Sequence, residues 1–229
     1  VEDNYRYAMG DMRLITNHVA FAKLGNTEIK TETVEVINTG QTPLKLGAAK
    51  VPAHLKVTFE PTTIPPGKTG KIIVVFDAKV RNDWDFVMDR FFVTINGTED
   101  LNNRMNVSAS IMEDFSKLTE AQKANAPLIE FNSKSFEFGT IKAGEKVNYV
   151  FKITNKGKSD LKLRKVNASC GCTLVKPDTD TVKPGQSTEV KVEFNSVGIS
   201  GVQNKTITVI TNDPNNSKVV LWVKGTVNQ

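Results

Sequence analysis

Hydrophobic and polar residues alternate with a period of two along most of the chain. In "KVNYVFKITN" (146–155), Val147, Tyr149, Phe151 and Ile153 share one face. In "STEVKVEF" (187–194), Val190, Val192 and Phe194 do the same, with Lys191 and Glu193 between them. A strand sends successive side chains to opposite faces, so this pattern predicts strands with one buried and one wet side. The segments "KTITVITND" (205–213) and "SKVVLWVKGTV" (217–227) are short and β-branched. Turn signals separate them: "NKGKSD", "KPGQ" and "NDPNNS". About seven short strands, with no amphipathic helical stretch among them, predict a sandwich of two antiparallel sheets.

The pattern occurs twice. "VINTGQTPLKL" (36–46) matches "ITNKGKSDLKL" (153–163), which places Asn38 and Gly40 117 residues before Asn155 and Gly157. "IPPGKTGKIIVVFD" (64–77) matches "VKPGQSTEVKVEFN" (182–195), and "VTIN" (93–96) matches "VITN" (209–212). Val19 and Phe21 fall on Phe136 and Phe138. Two diverged copies of one unit account for this self-similarity. The fold class is therefore all-β, two tandem immunoglobulin-like β-sandwich domains of about seven strands each. The boundaries expected are an N-terminal extension at 1–10, domain 1 at 11–111, a linker at 112–127 and domain 2 at 128–229. The start "VEDNYRYAMG" reads as an interior start, with residues 1–9 as the tail of an earlier module. In the linker, Ser116 is expected to cap a short helix running through Glu120.

Turn chemistry supports the duplication. Proline presets φ and glycine accepts the positive φ that follows, so Pro66-Gly67 and Pro184-Gly185 mark a tight corner before a strand. The matched Asn-x-Gly sites are expected to close the hairpin after the second long strand.

Composition narrows the function. The chain has 30 Lys and Arg against 25 Asp and Glu, spread without a basic stripe or interleaved aromatics, so nucleic acid is not an expected partner. No apolar run approaches the roughly 20 residues of a membrane-spanning helix. No nucleophile elbow, zinc-protease helix, dinucleotide loop or P-loop occurs, so no enzyme activity is expected.

Together "FEFGTIKAGE", "ITNKGKSDLKL", "ASCGCT", "KPGQSTEVKVEF" and "ITVITND" resemble the bacterial exported domain-of-unknown-function 1573 family, a Hydin-like, PapD-like branch of immunoglobulin-like sandwiches. The resemblance spans 128–227. Residues 11–111 look like a diverged copy that keeps Asn38, Gly40, Pro66 and Gly67 but carries "KVPAHL" where the second copy has "NASCGC". The resemblance implies export in a Gram-negative bacterium, to the periplasm or cell surface, and implies no catalytic activity.

The candidate chemistry lies in "NASCGCT" (167–173), which holds both cysteines, Cys170 and Cys172. Three readings stand side by side. A disulfide across one residue would be a small strained ring, easily reduced. Two buried thiols could tuck against the sandwich, with Gly171 supplying an unusual backbone angle. Two thiolates also suit Cu(I), whereas zinc would want four ligands. A thioredoxin-type site is disfavoured, because the spacing is one residue short and no helix follows.

His54 is expected to be a surface imidazole in a loop, and Asp83 and Asp85 to turn a corner. Trp84 is a candidate binding residue, while Phe91 and Phe92 are expected in the core. The expected role is a non-enzymatic exported structural or binding module that presents loops or sheet edges to envelope proteins or glycans. The alternatives are a copper-binding or thiol-redox protein using Cys170 and Cys172, and a PapD-like periplasmic chaperone. The chaperone would need an open edge strand and a basic anchor.

Overall fold

The alternating stretches are strands in the computed structural model, which describes residues 4–169, 171–177 and 179–229. The chain divides into two units, Val1–Asp114 and Phe115–Gln229.

Unit 1 holds β1 (Tyr7–Met9), β2 (Met12–Leu14), β3 (His18–Gly25), β4 (Ile29–Asn38), β5 (Leu44–Ala49), β6 (Leu55–Glu60), β7 (Thr63–Ile64), β8 (Thr69–Asp77), β9 (Asp85–Ile95) and β10 (Arg104–Met112). A one-turn helix, α1 (Ala78–Arg81), joins β8 to β9. One sheet runs β1-β2-β4-β8-β6 and the other β3-β10-β9-β5-β7. Between them lie Phe21, Phe76, Phe91, Met12, Ile72 and Met105, all fully buried. Burying each such side chain stabilises the fold by about 1.5–3 kcal/mol.

Unit 2 opens with a short helix, α2 (Glu120–Ala124), and repeats the plan. Its strands are β11 (Ile129–Phe131), β12 (Ser135–Lys142), β13 (Lys146–Asn155), β14 (Leu161–Ala168), β15 (Cys172–Val175), β16 (Thr181–Val182), β17 (Ser187–Asn195), β18 (Gly201–Thr211) and β19 (Lys218–Asn228). The sheets run β11-β13-β17-β15 and β12-β19-β18-β14-β16. Phe151, Ile153, Val190, Phe194, Ile207 and Leu221 fill the core.

Each unit is thus a two-sheet sandwich with more strands than the seven expected. The additions are two- and three-residue strands, too short to show an alternation. In both units the first long strand pairs in parallel with the last, β3 with β10 and β12 with β19. Both parallel pairs carry a register shift at the same place, with positive φ at Ala22 in one copy and at Gly139 in the other.

The Asn-x-Gly sites do not close a hairpin. β4 and β5 belong to different sheets, as do β13 and β14, so these residues carry the chain across the sandwich. Asn155 is fully buried. Its Nδ2 donates to the carbonyls of Ser159 (2.8 Å) and Val182 (2.8 Å), and its Oδ1 accepts the Gly157 N–H (2.9 Å) and the Leu128 N–H (3.3 Å). Asn38 repeats this with Thr42 (2.7 Å), Ile64 (2.9 Å) and Gly40 (2.9 Å). The Pro-Gly turn docks on the same residue. Gly67 has φ +71 and donates to the Asn38 carbonyl (2.8 Å), while Gly185 has φ +78 and donates to Asn155 (2.8 Å). One buried amide therefore ties the crossover to the Pro-Gly turn in each copy, which explains why these residues survive the divergence of their surroundings.

The chain ends of the first copy also differ from expectation. Residues 7–9 form β1 and pair with β2 at the edge of unit 1's sheet. Buried Tyr5 donates its hydroxyl to Glu35, tying the segment down further. The helix in the 112–127 stretch is capped by Thr119 rather than Ser116. Thr119 Oγ1 accepts the Gln122 N–H (3.2 Å) and Gln122 Oε1 accepts the Thr119 N–H (2.9 Å). A capping box needs Glu or Gln three residues after the cap, and Ser116 has Thr119 there.

Candidate functional site

The sulfur loop leads into β15, an edge strand of unit 2. Gly171 has φ +97, the left-handed backbone that glycine adopts without strain. Cys172 is a free, half-buried cysteine opposite Phe194 of β17. Burial pushes its thiol pKa up, and the nearby Lys205 charge pulls back against this. A thiol raised in this way holds less thiolate at neutral pH, and so is a poorer nucleophile and ligand. Cys170 lies outside the described residues, so the two-sulfur Cu(I) reading rests on a residue the structure does not describe. Among the described residues no three His, Cys, Asp or Glu side chains converge to hold a metal.

In unit 1, His54 is not a surface imidazole. It is 7% exposed, with its ring edge-on to Phe76 at 4.9 Å between centroids. Its Nε2 lies 2.8 Å from Asp89 Oδ2. The same carboxylate oxygen accepts Arg81 Nε at 2.8 Å, and Arg81 also reaches Asp83 at 3.4 Å. Burial is the largest influence on His54 and lowers its pKa; Asp89 works the other way, and Arg81 adds to the lowering. The cluster bolts α1 to β9 and leaves His54 neutral. The chain enters α1 through Asp77, whose carboxylate caps the Val80 N–H, and leaves through Asn82 in the left-handed region. Trp84 follows, half-buried, its backbone N–H held by the Asp83 carboxylate at 2.7 Å. Phe91 lies in the core as expected; Phe92 is buried too, but on the outer face of the sheet rather than in the core, and the exposed aromatic of this stretch is Phe86, at 58%.

Phe86 begins an outward row on β9. Alternation puts Phe86, Met88 (51% exposed), Arg90 and Phe92 on one face, away from the core residues Val87, Phe91 and Val93. At the far end of the row lies a groove of about 350 Å³ lined by Lys50, Arg90, Phe92, Leu101 and Arg104. Its geometry follows from strand pairing. Arg104 of β10 sits opposite Phe92, and Ala49 of β5 flanks Phe92 on the other side, with Lys50 next in the chain. Lys50 Nζ stands 5.7 Å from the Phe92 ring centroid. None of the three cations takes part in an ion pair among the described residues. This arrangement can hold an anion against an apolar floor; it contains no nucleophile with an activating base.

Residues 129–227 match the family described as "Protein of unknown function (DUF1573)". This match lies within the second unit. No curated protein matches the chain. Among solved structures, the chain is similar to a protein of unknown function from Porphyromonas gingivalis W83, with 20% identity and a TM-score of 0.61 over 95% of this chain and 100% of that one. That likeness speaks to the fold alone. Weaker likenesses are to a PapD-like domain of human CEP192 (13% identity, 49% of this chain and 92% of that one, TM-score 0.36) and to the Pseudomonas aeruginosa CupB2 chaperone (15%, 91% and 98%, TM-score 0.30). Among the described residues no helix is long and apolar enough to cross a membrane.

Unit 2 is an internal reference for unit 1. Matching the two copies by strand register places Met88 on Asn204, Arg90 on Thr206, Arg104 on Val220 and Lys50 on Ala168. The same scaffold is thus built without any of the three cations or the methionine, so packing does not require them. Sequence reasoning missed this set because lysines and arginines are spread along the chain. A position-by-position comparison of outward residues in the two copies would have found it.

Proposed function

We propose that the protein is a non-catalytic, exported binding module that engages envelope proteins or glycans through the outer face of unit 1's β3-β10-β9-β5-β7 sheet. The observation that carries this reading is the divergence of β9 from its counterpart β18. Two copies share core, crossover and turns, yet the outward Met88 and Arg90 of one stand where the other has Asn204 and Thr206. A face that changes while the scaffold stays is a face under a demand other than folding. Its exposed, adjacent Phe86 and Met88 suit contact with a partner.

The test is site-specific photo-crosslinking in cells. A photoreactive residue at position 88 should yield a discrete adduct, in a periplasmic or surface fraction, and one at position 204 should not. Absence of an adduct at 88, or turnover of a substrate that depends on a defined residue, overturns the reading.

A further inference from the structure

We infer that the groove at the end of the β9 row binds an acidic segment of a partner protein. Lys50, Arg90 and Arg104 would take its carboxylates, and Phe86, Met88 and Leu101 its apolar side chains. The inference rests on the reading of unit 1's outer face as the contact surface, and it specifies the partner's chemistry.

Charge complementarity is the first argument. Three cations surround one aromatic ring with no carboxylate between them. Like charges brought together raise one another's energy unless an anion is added. The hairpin joining β9 to β10 carries Glu99 and Asp100, but neither forms an ion pair with these cations, and the Asp100 carboxylate instead accepts the Asn102 N–H at 2.8 Å. Two of the three are arginines, whose planar fork matches a carboxylate with two parallel hydrogen bonds.

The second argument is conformational. Lys50 has φ +53, a left-handed backbone that non-glycine residues seldom adopt. Such strain tends to persist where the surroundings over-determine it, as at ligand clamps. Here it sets a lysine beside Phe92, where the second copy has Ala168.

The third argument concerns what lies beside the cations. From Phe86 to Phe92 the outward row spans roughly 20 Å at about 3.3 Å per residue, the length of some six residues of extended chain. Leu101, at 63% exposure, extends the apolar border of the groove. Met88 and Leu101 are flexible aliphatic surfaces that fit apolar side chains, whereas a sugar ring stacks on an open aromatic face, and of the two rings in the row Phe86 is exposed while Phe92 is buried beside Lys50. An acidic peptide with interspersed apolar residues therefore fits the surface better than an anionic glycan.

The test uses the full 229-residue chain. The probe is a fluorescein-labelled ten-residue peptide with three glutamates and three leucines among serines and glycines, read by fluorescence anisotropy at low and high salt. Its controls are the same peptide with glutamine for glutamate, and a heparin oligosaccharide. Arg90→Thr and Arg104→Val install the residues of the second copy, and Lys50→Asn keeps a side chain that tolerates the left-handed backbone. Each single variant should weaken binding by roughly threefold to fivefold, as for exposed ion pairs. The triple variant should weaken it more than tenfold, with an unchanged melting curve. Binding should also weaken as salt rises. Equal binding of the glutamine peptide, heparin binding as tight as the glutamate peptide, or a triple variant that binds normally overturns the inference. An adduct at position 88 alongside any of these results would leave the contact surface standing and remove only the acidic partner.

Discussion

Replacing Asn155 with alanine should damage unit 2 more than any other single polar-to-alanine change. The side chain is fully buried and serves four backbone partners: the carbonyls of Ser159 and Val182 and the N–H groups of Gly157 and Leu128. Val182 is itself buried, so its carbonyl would be left without water, at a cost of about 1–3 kcal/mol. The other three partners lie nearer the surface, where each lost bond costs about 0.5–1.5 kcal/mol net. The sum is roughly 2.5–7.5 kcal/mol, a large fraction of a domain's stability. Urea unfolding followed by Trp222 fluorescence in a Trp84→Phe background isolates unit 2. With a urea dependence of about 2 kcal/mol per molar, the midpoint should fall by roughly 1.2–3.8 M. Asn38→Ala removes three such bonds from unit 1, and should shift that unit less. A midpoint shift below about 0.5 M for Asn155→Ala would refute the claim that this amide pins the crossover to the Pro-Gly turn.

Further expectations follow from close approaches and from burial. A Cβ on Gly157 would lie 2.4 Å from the Ala126 carbonyl oxygen and 2.5 Å from the Leu128 nitrogen, both backbone atoms, so Gly157→Ala should destabilise unit 2 by at least 1–3 kcal/mol; a neutral result in the same urea assay would contradict the packing described. His54 has a pKa lowered by burial, so the unfolded chain takes up a proton more readily than the folded one. Its contribution to stability is complete above the ordinary histidine pKa of about 6.5 and is lost as pH falls below it toward the folded value. Melting of unit 1 from pH 7.5 to 5 should therefore show a decline that His54→Gln reduces, and an unchanged slope would count against a buried neutral imidazole. Cys172, in a Cys170→Ser background, should alkylate with iodoacetamide at pH 8 more slowly than free cysteine; faster reaction would reverse the account of its thiol.

The fold was legible where alternation ran long. β13 and β17 could be read directly from Val147 to Ile153 and from Val190 to Phe194, because each has one dry and one wet face. The duplication was legible because turns and buried amides resist change. What escaped was set by tertiary context. β2, β7, β11 and β16 are two or three residues long, below the length at which a period can be recognised. Asn38 and Asn155 look like turn residues, yet the strands they join lie in opposite sheets, which local sequence does not reveal. His54 sits in the short connection between β5 and β6, and only the fold brings Asp89 and Arg81 to it. The three cations of the groove come from three strand neighbourhoods, and each alone resembles any solvated basic residue. Cys170 and Cys172 stood out in the sequence, but their shared chemistry depends on a residue outside those described.

The central claim is that two copies share one scaffold and that the outer face of unit 1 serves a partner rather than the fold. Transplanting the second copy's surface tests it most directly: Met88→Asn, Arg90→Thr and Arg104→Val together, assayed by photo-crosslinking from position 86 and by thermal melting. The account predicts a melting temperature within a few degrees of the parent and loss of the adduct that the parent gives from the same position. An adduct that survives the exchange, or a unit 1 that no longer folds, would show that these residues serve the scaffold rather than a partner.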